Sequence, residues 1–176
     1  MELLKNHRKF SFIYDGKTLE ECKYSIRQTE QDQVLTTVYT FSDGLVVTNI
    51  ARKYEKYGAY EWVNYFENTG NVPTGIVSCL YDCDITLPFA HQVSRRGTVN
   101  LPDADEVTKI IWPTGSDWSK DEFSSNVDEM RESRRPQYLP VDGVRKYSSK
   151  GGRSSNGKAP FFNVHKAGTG VIGAIG

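Results

Sequence analysis

The feature that most constrains this chain is an alternation of apolar and polar residues with a period of two, repeated in short runs. Such alternation is typical of a strand with one buried face, because successive side chains point to opposite faces of a sheet. No window of helical length carries an apolar stripe at the 3.6-residue period. The runs that predict strands are 10–14, 34–41, 45–50, 59–66, 76–87, 107–112, 161–164 and 171–175.

Gly, Pro, Asn and Asp separate these runs and indicate short connections. Asp15-Gly16 is a turn dipeptide, and Asp43-Gly44 predicts a hairpin. Short strands with this punctuation predict an all-β fold, an antiparallel β-sandwich. The best helix candidate is Asp121–Glu132, which is polar on nearly every face. We interpret residues 113–140 as a long surface excursion and 148–158 as a Gly/Ser-rich loop.

Length and charge restrict the class of protein. A chain of 176 residues suits a single domain, which we predict to span 1–176, and is too short for a (β/α)8 barrel of about 200 to 250 residues. Its 22 Lys and Arg balance 22 Asp and Glu. The densest basic cluster, within 131–135, is flanked by Glu129 and includes Glu132. We therefore expect no nucleic-acid partner.

The compartment follows from apolar runs and cysteines. No apolar run approaches the roughly 20 residues that cross a bilayer, so no membrane partner is expected. The charged first ten residues lead into no apolar stretch, unlike a secretory signal. The chain has three cysteines, Cys22, Cys79 and Cys83, and this small, odd number does not suit a disulfide scaffold. We predict a cytoplasmic protein with reduced thiols.

Two motifs that suggest a metal or a cofactor have simpler explanations. Cys79 and Cys83 are about 13 Å apart on an extended strand, too far for one tetrahedral metal, so we expect small buried apolar side chains and no metal site. Residues 168–173 match G-x-G-x-x-G. A dinucleotide site needs a following helix and an acidic residue about 20 positions on, whereas three residues follow Gly173. We expect a Gly-rich edge strand and no cofactor.

Aromatic residues beside Arg and Asp are the candidates for binding chemistry. Sugars have apolar faces and polar edges, so a ring next to hydrogen-bonding groups suits them. Arg52 and Tyr54 precede Tyr57, Tyr60 and Trp62; a second group comprises Trp112, Asp117 and Trp118. We favour core positions for Trp62 and Trp112, whereas Trp118 lies in a polar loop, where a binding role and a structural role stay open. Carboxylates are numerous, but nothing in the sequence marks two of them as a catalytic pair.

Six segments in order resemble a known family over essentially the whole chain. They resemble the N-terminal domain of family-36 glycoside hydrolases, the bacterial alpha-galactosidases and their relatives. The most specific segment is GRSSNGKAPFFNV (152–164). The other five are FSFIYDGK (10–17), YEWVNYFENTG (60–70), LYDCDITLPF (80–89), GSDWSKDEF (115–123) and GTGVIGAIG (168–176).

The resemblance implies a galactose-mutarotase-like β-supersandwich that precedes a (β/α)8 barrel. The barrel would carry the nucleophile and the acid/base that hydrolyse terminal alpha-D-galactosides such as melibiose and raffinose, so no catalytic residue is expected here. Because the sequence stops on an apolar strand, we expect more chain to follow. The resemblance also implies a homo-oligomer whose loops reach an active-site rim. The substrate-binding residues expected on this basis are Arg52, Tyr54, Asp117, Trp118 and Arg153.

Two other functions fit the same residues. A free-standing carbohydrate-binding module would bind sugar without a downstream domain. A purely structural oligomerisation domain would self-associate without responding to sugar.

Overall fold

A computed structural model describes residues 8–86, 108–116, 120, 123–130, 145–149, 152–153, 155–166 and 169–175. The chain divides into two compact units, Met1–Leu87 and Pro88–Gly176. The described residues form β-strands and one short 3-10 turn, and every pair of strands is antiparallel. The predicted all-β antiparallel fold is therefore confirmed. The single domain over 1–176 stays a prediction.

The first unit holds two sheets. One has the strand order β2-β1-β7 and the other the order β3-β4-β5-β6, so the second sheet is a meander of consecutive hairpins. The strands are β1 (Ser11–Tyr14), β2 (Lys17–Thr18), β3 (Tyr24–Gln31), β4 (Val34–Phe41), β5 (Leu45–Tyr54), β6 (Ala59–Asn68) and β7 (Val77–Tyr81).

Left-handed backbone conformations close the turns of these sheets. Asp15-Gly16 joins β1 to β2 with φ values of 47° and 76°, and Asp32-Gln33 joins β3 to β4 with 49° and 63°. Two positive φ angles in a two-residue loop are the pattern of a type I′ turn, whose twist matches that of the strands. Gly44 has φ 99°, and a Cβ there would lie 2.9 Å from the Gly70 nitrogen. The turns predicted at Asp15-Gly16 and Asp43-Gly44 are confirmed.

The two sheets of the first unit pack face to face through aromatic rings. Phe12 of β1 lies 6.2 Å from Phe41 and 5.4 Å from Phe66 of the other sheet, measured between ring centroids. Burying one such ring contributes about 1.5–3 kcal/mol, so these contacts help to hold the two sheets together. The sandwich core consists of Phe10, Phe12, Tyr14, Leu19, Tyr39, Phe41, Leu45 and Val47.

A row of polar side chains crosses the inner face of the meander sheet beside this core. Gln28, Thr37, Asn49 and Asn64 are register partners on the four strands, and we call them the polar row. Asn49 is 0% exposed and donates from Nδ2 to Oδ1 of Asn64 at 2.7 Å. Its own Oδ1 has no hydrogen-bond partner among the described residues. Asn64 in turn donates to Oδ1 of Asp82 at 2.5 Å.

The described residues of the second unit form a four-stranded sheet with the order β11-β10-β8-β9. Ile110 of β8 is buried. Isolated bridges between Thr114 and Lys158 and between Ser116 and Asn156 attach part of the Gly/Ser-rich loop to the end of β8. The strands are β8 (Thr108–Pro113), β9 (Ser125–Met130), β10 (Phe161–Lys166) and β11 (Thr169–Ala174).

The helix candidate Asp121–Glu132 is wrong. Ser125–Met130 forms β9 and pairs with β8 over six residues, so part of the predicted surface excursion 113–140 is also a strand. Asn126, Asp128 and Met130 are half-buried while Val127 is 56% exposed, so the half-buried face of β9 is mostly polar. Apolar periodicity could not reveal such a strand, because cross-strand pairing and not burial of apolar residues holds it.

The predicted strand 76–87 is shorter in the structure, and the cysteine prediction is wrong. β7 covers only Val77–Tyr81, and Cys79 within it has φ 48°, which breaks the alternation of faces. The pairing with β1 shifts register at the same point. Cys79 and Cys83 are both exposed instead of buried. The irregularity at Cys79 breaks the alternation that the prediction assumed, and Cys83 lies beyond the end of the strand.

Candidate functional site

Arg52 and Tyr54 lie two positions apart on the outer face of the meander sheet, next to one of its turns. β5 ends at Tyr54, and the 3-10 turn Glu55–Tyr57 follows. Gly58 closes this turn with φ 59° and donates its N–H to the Glu55 carbonyl at 3.3 Å. The β5–β6 register then places Glu61 directly opposite Arg52.

An open cleft of about 340 Å³ lies where this turn meets the β3–β4 turn. Its walls are Asp32-Gln33 on one side and residues 52–57 on the other, and we call it the turn cleft. The Lys53 N–H donates to the Gln33 carbonyl at 3.1 Å and so holds the two turns together. Two hairpin ends of one rigid sheet therefore form the cleft.

Glu61 organises the polar groups beside the turn cleft. The Tyr54 hydroxyl donates to Oε1 of Glu61 at 2.5 Å, and Nε of Arg52 lies 4.0 Å from the same oxygen. The hydrogen bond to this carboxylate raises the pKa of Tyr54, because the bond needs the phenol proton. Tyr54 thus keeps a fixed hydroxyl beside a guanidinium that has further N–H donors.

Tyr57 presents an aromatic ring at the mouth of the turn cleft. Its side chain is 73% exposed, and Nζ of Lys56 lies 5.3 Å from the ring centroid. Nζ of Lys53 lies 3.4 Å from Oε1 of Glu55 on the same turn. The cleft therefore combines an exposed ring with donors and acceptors of both charges.

The structure separates Tyr60 and Trp62 from Arg52 and Tyr54. The register pairs Trp62 with Ala51, on the opposite face of the sheet from Arg52. Both aromatic side chains pack against the small buried cluster of Leu35 and Ala51, so the interpretation of Trp62 as a core residue is confirmed.

The other three predicted substrate-binding residues lie in the second unit, away from the turn cleft in sequence. Arg153 is exposed in the second unit, where its carbonyl accepts the Asn156 N–H at 3.3 Å. Asp117 and Trp118 lie outside the described residues. Of the five predicted substrate-binding residues, the structure therefore brings together Arg52 and Tyr54.

Glu61 and the Asp32-Gln33 turn are members of the site that the sequence did not reveal. Glu61 faces Arg52 only in the register fixed by the four-residue connection 55–58. A hairpin prediction across that connection would have found it, because a register assigns every cross-strand neighbour. Asp32-Gln33 joins the cleft through an adjacent hairpin and left no local signal.

A second group of aromatic and charged side chains lies on the second unit, and we call it the Trp112 cluster: Trp112, Asp128, Tyr147 and Lys158. Nζ of Lys158 lies 3.3 Å from the centroid of the Trp112 ring and 5.1 Å from that of Tyr147. Nε1 of Trp112 donates to Oδ2 of Asp128 at 3.0 Å, and the Tyr147 hydroxyl donates to the same oxygen. The ammonium thus covers the rings, and the cluster holds distant segments of the unit together.

Hydrogen bonding sets the protonation states of this cluster. Burial and the hydrogen bond to Asp128 raise the pKa of Tyr147 to about 12. The bonds from Tyr147 and Trp112 lower the pKa of Asp128. A charged carboxylate and a neutral phenol are therefore the stable pair over the ordinary pH range.

The described residues show neither a metal-binding group nor a membrane-spanning helix. No group of three or more His, Cys, Asp or Glu side chains in this part of the chain is placed to hold a metal ion. None of its helices has the length and apolarity that a membrane span requires. Comparison of the chain with protein-family models, with curated proteins and with solved structures finds no match.

Proposed function

We propose that this chain is the non-catalytic N-terminal β-sandwich region of an alpha-galactosidase-like retaining glycoside hydrolase, and that its turn cleft contacts terminal alpha-galactosides. Two lines support the proposal. The six ordered segments resemble that domain, and the antiparallel sandwich of the first unit is the architecture that the resemblance implies. The supersandwich arrangement, the cytoplasmic location and the oligomeric parent enzyme belong to the same proposal.

The observation that carries the sugar-binding part is the composition of the turn cleft. Tyr57 offers an exposed ring for the apolar face of a pyranose, within a cleft that also holds Arg52 and Tyr54. An aromatic face beside a few placed polar groups is the usual arrangement for orienting a small polar ligand.

Each polar group has a distinct task in this proposal. Arg52 donates from its guanidinium to ring hydroxyls, since Glu61 approaches only its Nε, at 4.0 Å. Glu61 accepts from Tyr54 through Oε1 and has a second oxygen that can accept from a sugar hydroxyl. Both groups are more than half exposed, so they lose little hydration before the sugar arrives.

The proposal places bond cleavage outside this chain. A retaining hydrolase needs two carboxyl groups about 5–5.5 Å apart on either side of the scissile bond. Asp82 and Asp84, the paired acidic residues near β7, accept from Asn64 and Ser11 respectively. These bonds give both carboxylates structural roles in the sandwich, and the proposal assigns the nucleophile and the acid/base to the barrel.

Titration of the isotope-labelled chain with galactose, melibiose and raffinose tests the proposal by NMR. We expect amide shifts confined to residues 32–33 and 52–61, with Kd values on the order of millimolar. Tyr57→Ala should weaken binding about fivefold, equivalent to about 1 kcal/mol. Tyr65→Ala is the matched control, because Tyr65 is 55% exposed on β6 but lies outside the turn cleft.

Three results would count against the proposal. Shifts that are absent at high sugar concentration, or that survive Tyr57→Ala and Arg52→Ala unchanged, would remove the turn cleft from sugar binding. Release of a chromophore from an aryl alpha-galactoside by this chain alone would contradict its non-catalytic role. Equal affinity for glucose and galactose would favour a general carbohydrate-binding module over a galactoside-specific domain.

A further inference from the structure

The free edge of β11 exposes backbone groups at alternate residues. The Ile175 N–H donates to the Pro160 carbonyl at 2.7 Å and continues the β10–β11 register. Because bonding direction alternates along an antiparallel strand, Gly173 and Val171 then bond to β10. Gly170, Ile172 and Ala174 direct their N–H and C=O groups to the opposite side. Among the described residues no strand pairs with that side of β11.

This edge lacks the features that normally prevent strand addition. Edge strands in monomeric proteins carry charges, Pro or bulges, or are very short. Residues 168–176 contain no charged residue and no Pro. The other edge strands of the described sheets carry such features. β2 has only two residues, and β7 is irregular at Cys79. The remaining three edge strands carry charged residues, which disfavour pairing with another strand: Arg27 and Glu30 in β3, Glu61 and Glu67 in β6, and Asp128 and Glu129 in β9.

The exposed side chains of β11 add an apolar surface to the open edge. Ile172 is 76% exposed, and Ile175, directly after the strand, is 61% exposed. The Phe162 ring of the neighbouring strand β10 packs over Gly173, where a Cβ would lie 2.6 Å from the ring. The strand is therefore held firmly on β10 while its edge and Ile172 face outward.

We propose that the free edge of β11 pairs antiparallel with β11 of a second copy of this chain, on a two-fold axis at Ile172. In that register Ile172 faces Ile172 of the partner, and Gly170 faces the partner's Ala174. All six outward N–H and C=O groups of each copy's Gly170, Ile172 and Ala174 are then bonded. The two four-stranded sheets become one continuous sheet of eight strands.

Side-chain size and charge favour a second copy as the occupant. Val171 of one copy lies opposite the partner's Gly173, which is covered by the partner's Phe162 ring, so a β-branched side chain meets an aromatic ring on both sides of the axis. The central Ile pair is a favourable β-branched cross-strand contact. No like charges face each other, and the chain's formal net charge of +0 adds no long-range repulsion between copies. The inference depends on β11 alone and stands apart from the sugar-binding proposal.

A charge-exchange experiment tests this interface by mass measurement in solution. The unsubstituted chain, of 19.9 kDa, should sediment as a dimer at micromolar to millimolar concentration. Ile172→Lys and Ile172→Glu should each give a monomer, because like charges would face each other on the axis. An equimolar mixture of the two should recover the dimer. Val63→Lys, at a 51% exposed position on β6, is the matched control and should leave the dimer intact.

Ile172→Pro separates pairing from folding. It removes an N–H that points away from β10, so the β10–β11 ladder is kept while the dimer is lost. Val171→Pro removes an N–H bonded to β10 and should destabilise the sheet itself. A monomeric unsubstituted chain, a dimer that survives Ile172→Lys and Ile172→Pro, or a mixture that stays monomeric would each overturn the proposal.

Discussion

Asn49 and Asn64 share a hydrogen bond, and we expect replacement of the donor residue and replacement of the acceptor residue to change the free energy of unfolding in opposite directions. Asn64→Val leaves the fully buried Asn49 amide without a partner at Nδ2, in addition to the unpartnered Oδ1. A buried polar group that loses its partner costs about 1–3 kcal/mol, so we expect a loss of about 2 kcal/mol in the free energy of unfolding.

Asn49→Val removes the buried amide itself. The lost hydrogen bond costs about 1 kcal/mol, whereas relief of the unsatisfied carbonyl and burial of an apolar side chain each return a similar amount or more. Val also suits an interior strand position. Half-buried Asn64 keeps its bond to Asp82 and can bind water. We therefore expect Asn49→Val to stabilise the chain by about 1 kcal/mol.

Urea unfolding followed by Trp62 fluorescence measures both effects. A background with Trp112→Phe and Trp118→Phe leaves Trp62 as the reporter; its indole donates to the Asp82 carbonyl at 2.8 Å, close to the polar row. The double variant should match Asn49→Val within about 0.5 kcal/mol, a coupling of about 2 kcal/mol. The reasoning is refuted if Asn49→Val destabilises by more than about 1 kcal/mol, or if the two substitutions are additive.

Two further predictions concern backbone strain and pH. Gln33→Gly should raise the free energy of unfolding by about 0.5–1 kcal/mol, because Gln33 has φ 63° and glycine adopts that conformation without strain. Gly44→Ala should lower the free energy of unfolding, because Gly44 has φ 99°. Urea midpoints that move in the opposite directions would contradict the turn assignment. The raised pKa of Tyr147, about 12 in the fold, means that the protonated phenol stabilises the native state fully below about pH 10, its ordinary unfolded value, and that this contribution is lost as pH rises through 12. Because the pKa of Tyr54 and of other tyrosines is also raised, the assignment comes from difference titrations: tyrosinate absorbance should lose one late-titrating residue in Tyr147→Phe, and part of the late titration should move to lower pH in Asp128→Asn. An unchanged titration in Asp128→Asn would contradict the assigned bond.

The strands that could be predicted are those with one apolar face. β4 and β5 alternate between buried and half-buried residues along most of their length, so their apolar residues recur with a period of two in the sequence. β3 was missed because seven of its eight residues are exposed, and a strand without a buried face leaves no alternation. It is held by its ladder to β4. β9 was mistaken for a helix because its half-buried face has only Met130 as an apolar residue, beside Asn126 and Asp128.

The candidate site was predictable in part for the same reason. The predicted strand 45–50 ended before Arg52 and Tyr54; β5 continues to Tyr54 in the structure, and strand parity then puts the two residues on one face. Parity also separates them from Trp62, although the residues are near in sequence. Glu61 and the Asp32-Gln33 turn depended on hairpin registers, which follow from turn geometry and pairing across the sheet. Sequence patterns report these only indirectly.

The connectivity of the first unit has a consequence for how it folds. Among the described residues β3 to β6 pair with their neighbours along the chain, so each hairpin closes a short loop and can form quickly. β1 must instead meet β7 from the far end of the unit, and the entropy of that large loop is lost before any contact is gained. We therefore expect β7 to dock late in folding, and amide exchange along β1 should report the earliest partial opening of the native state.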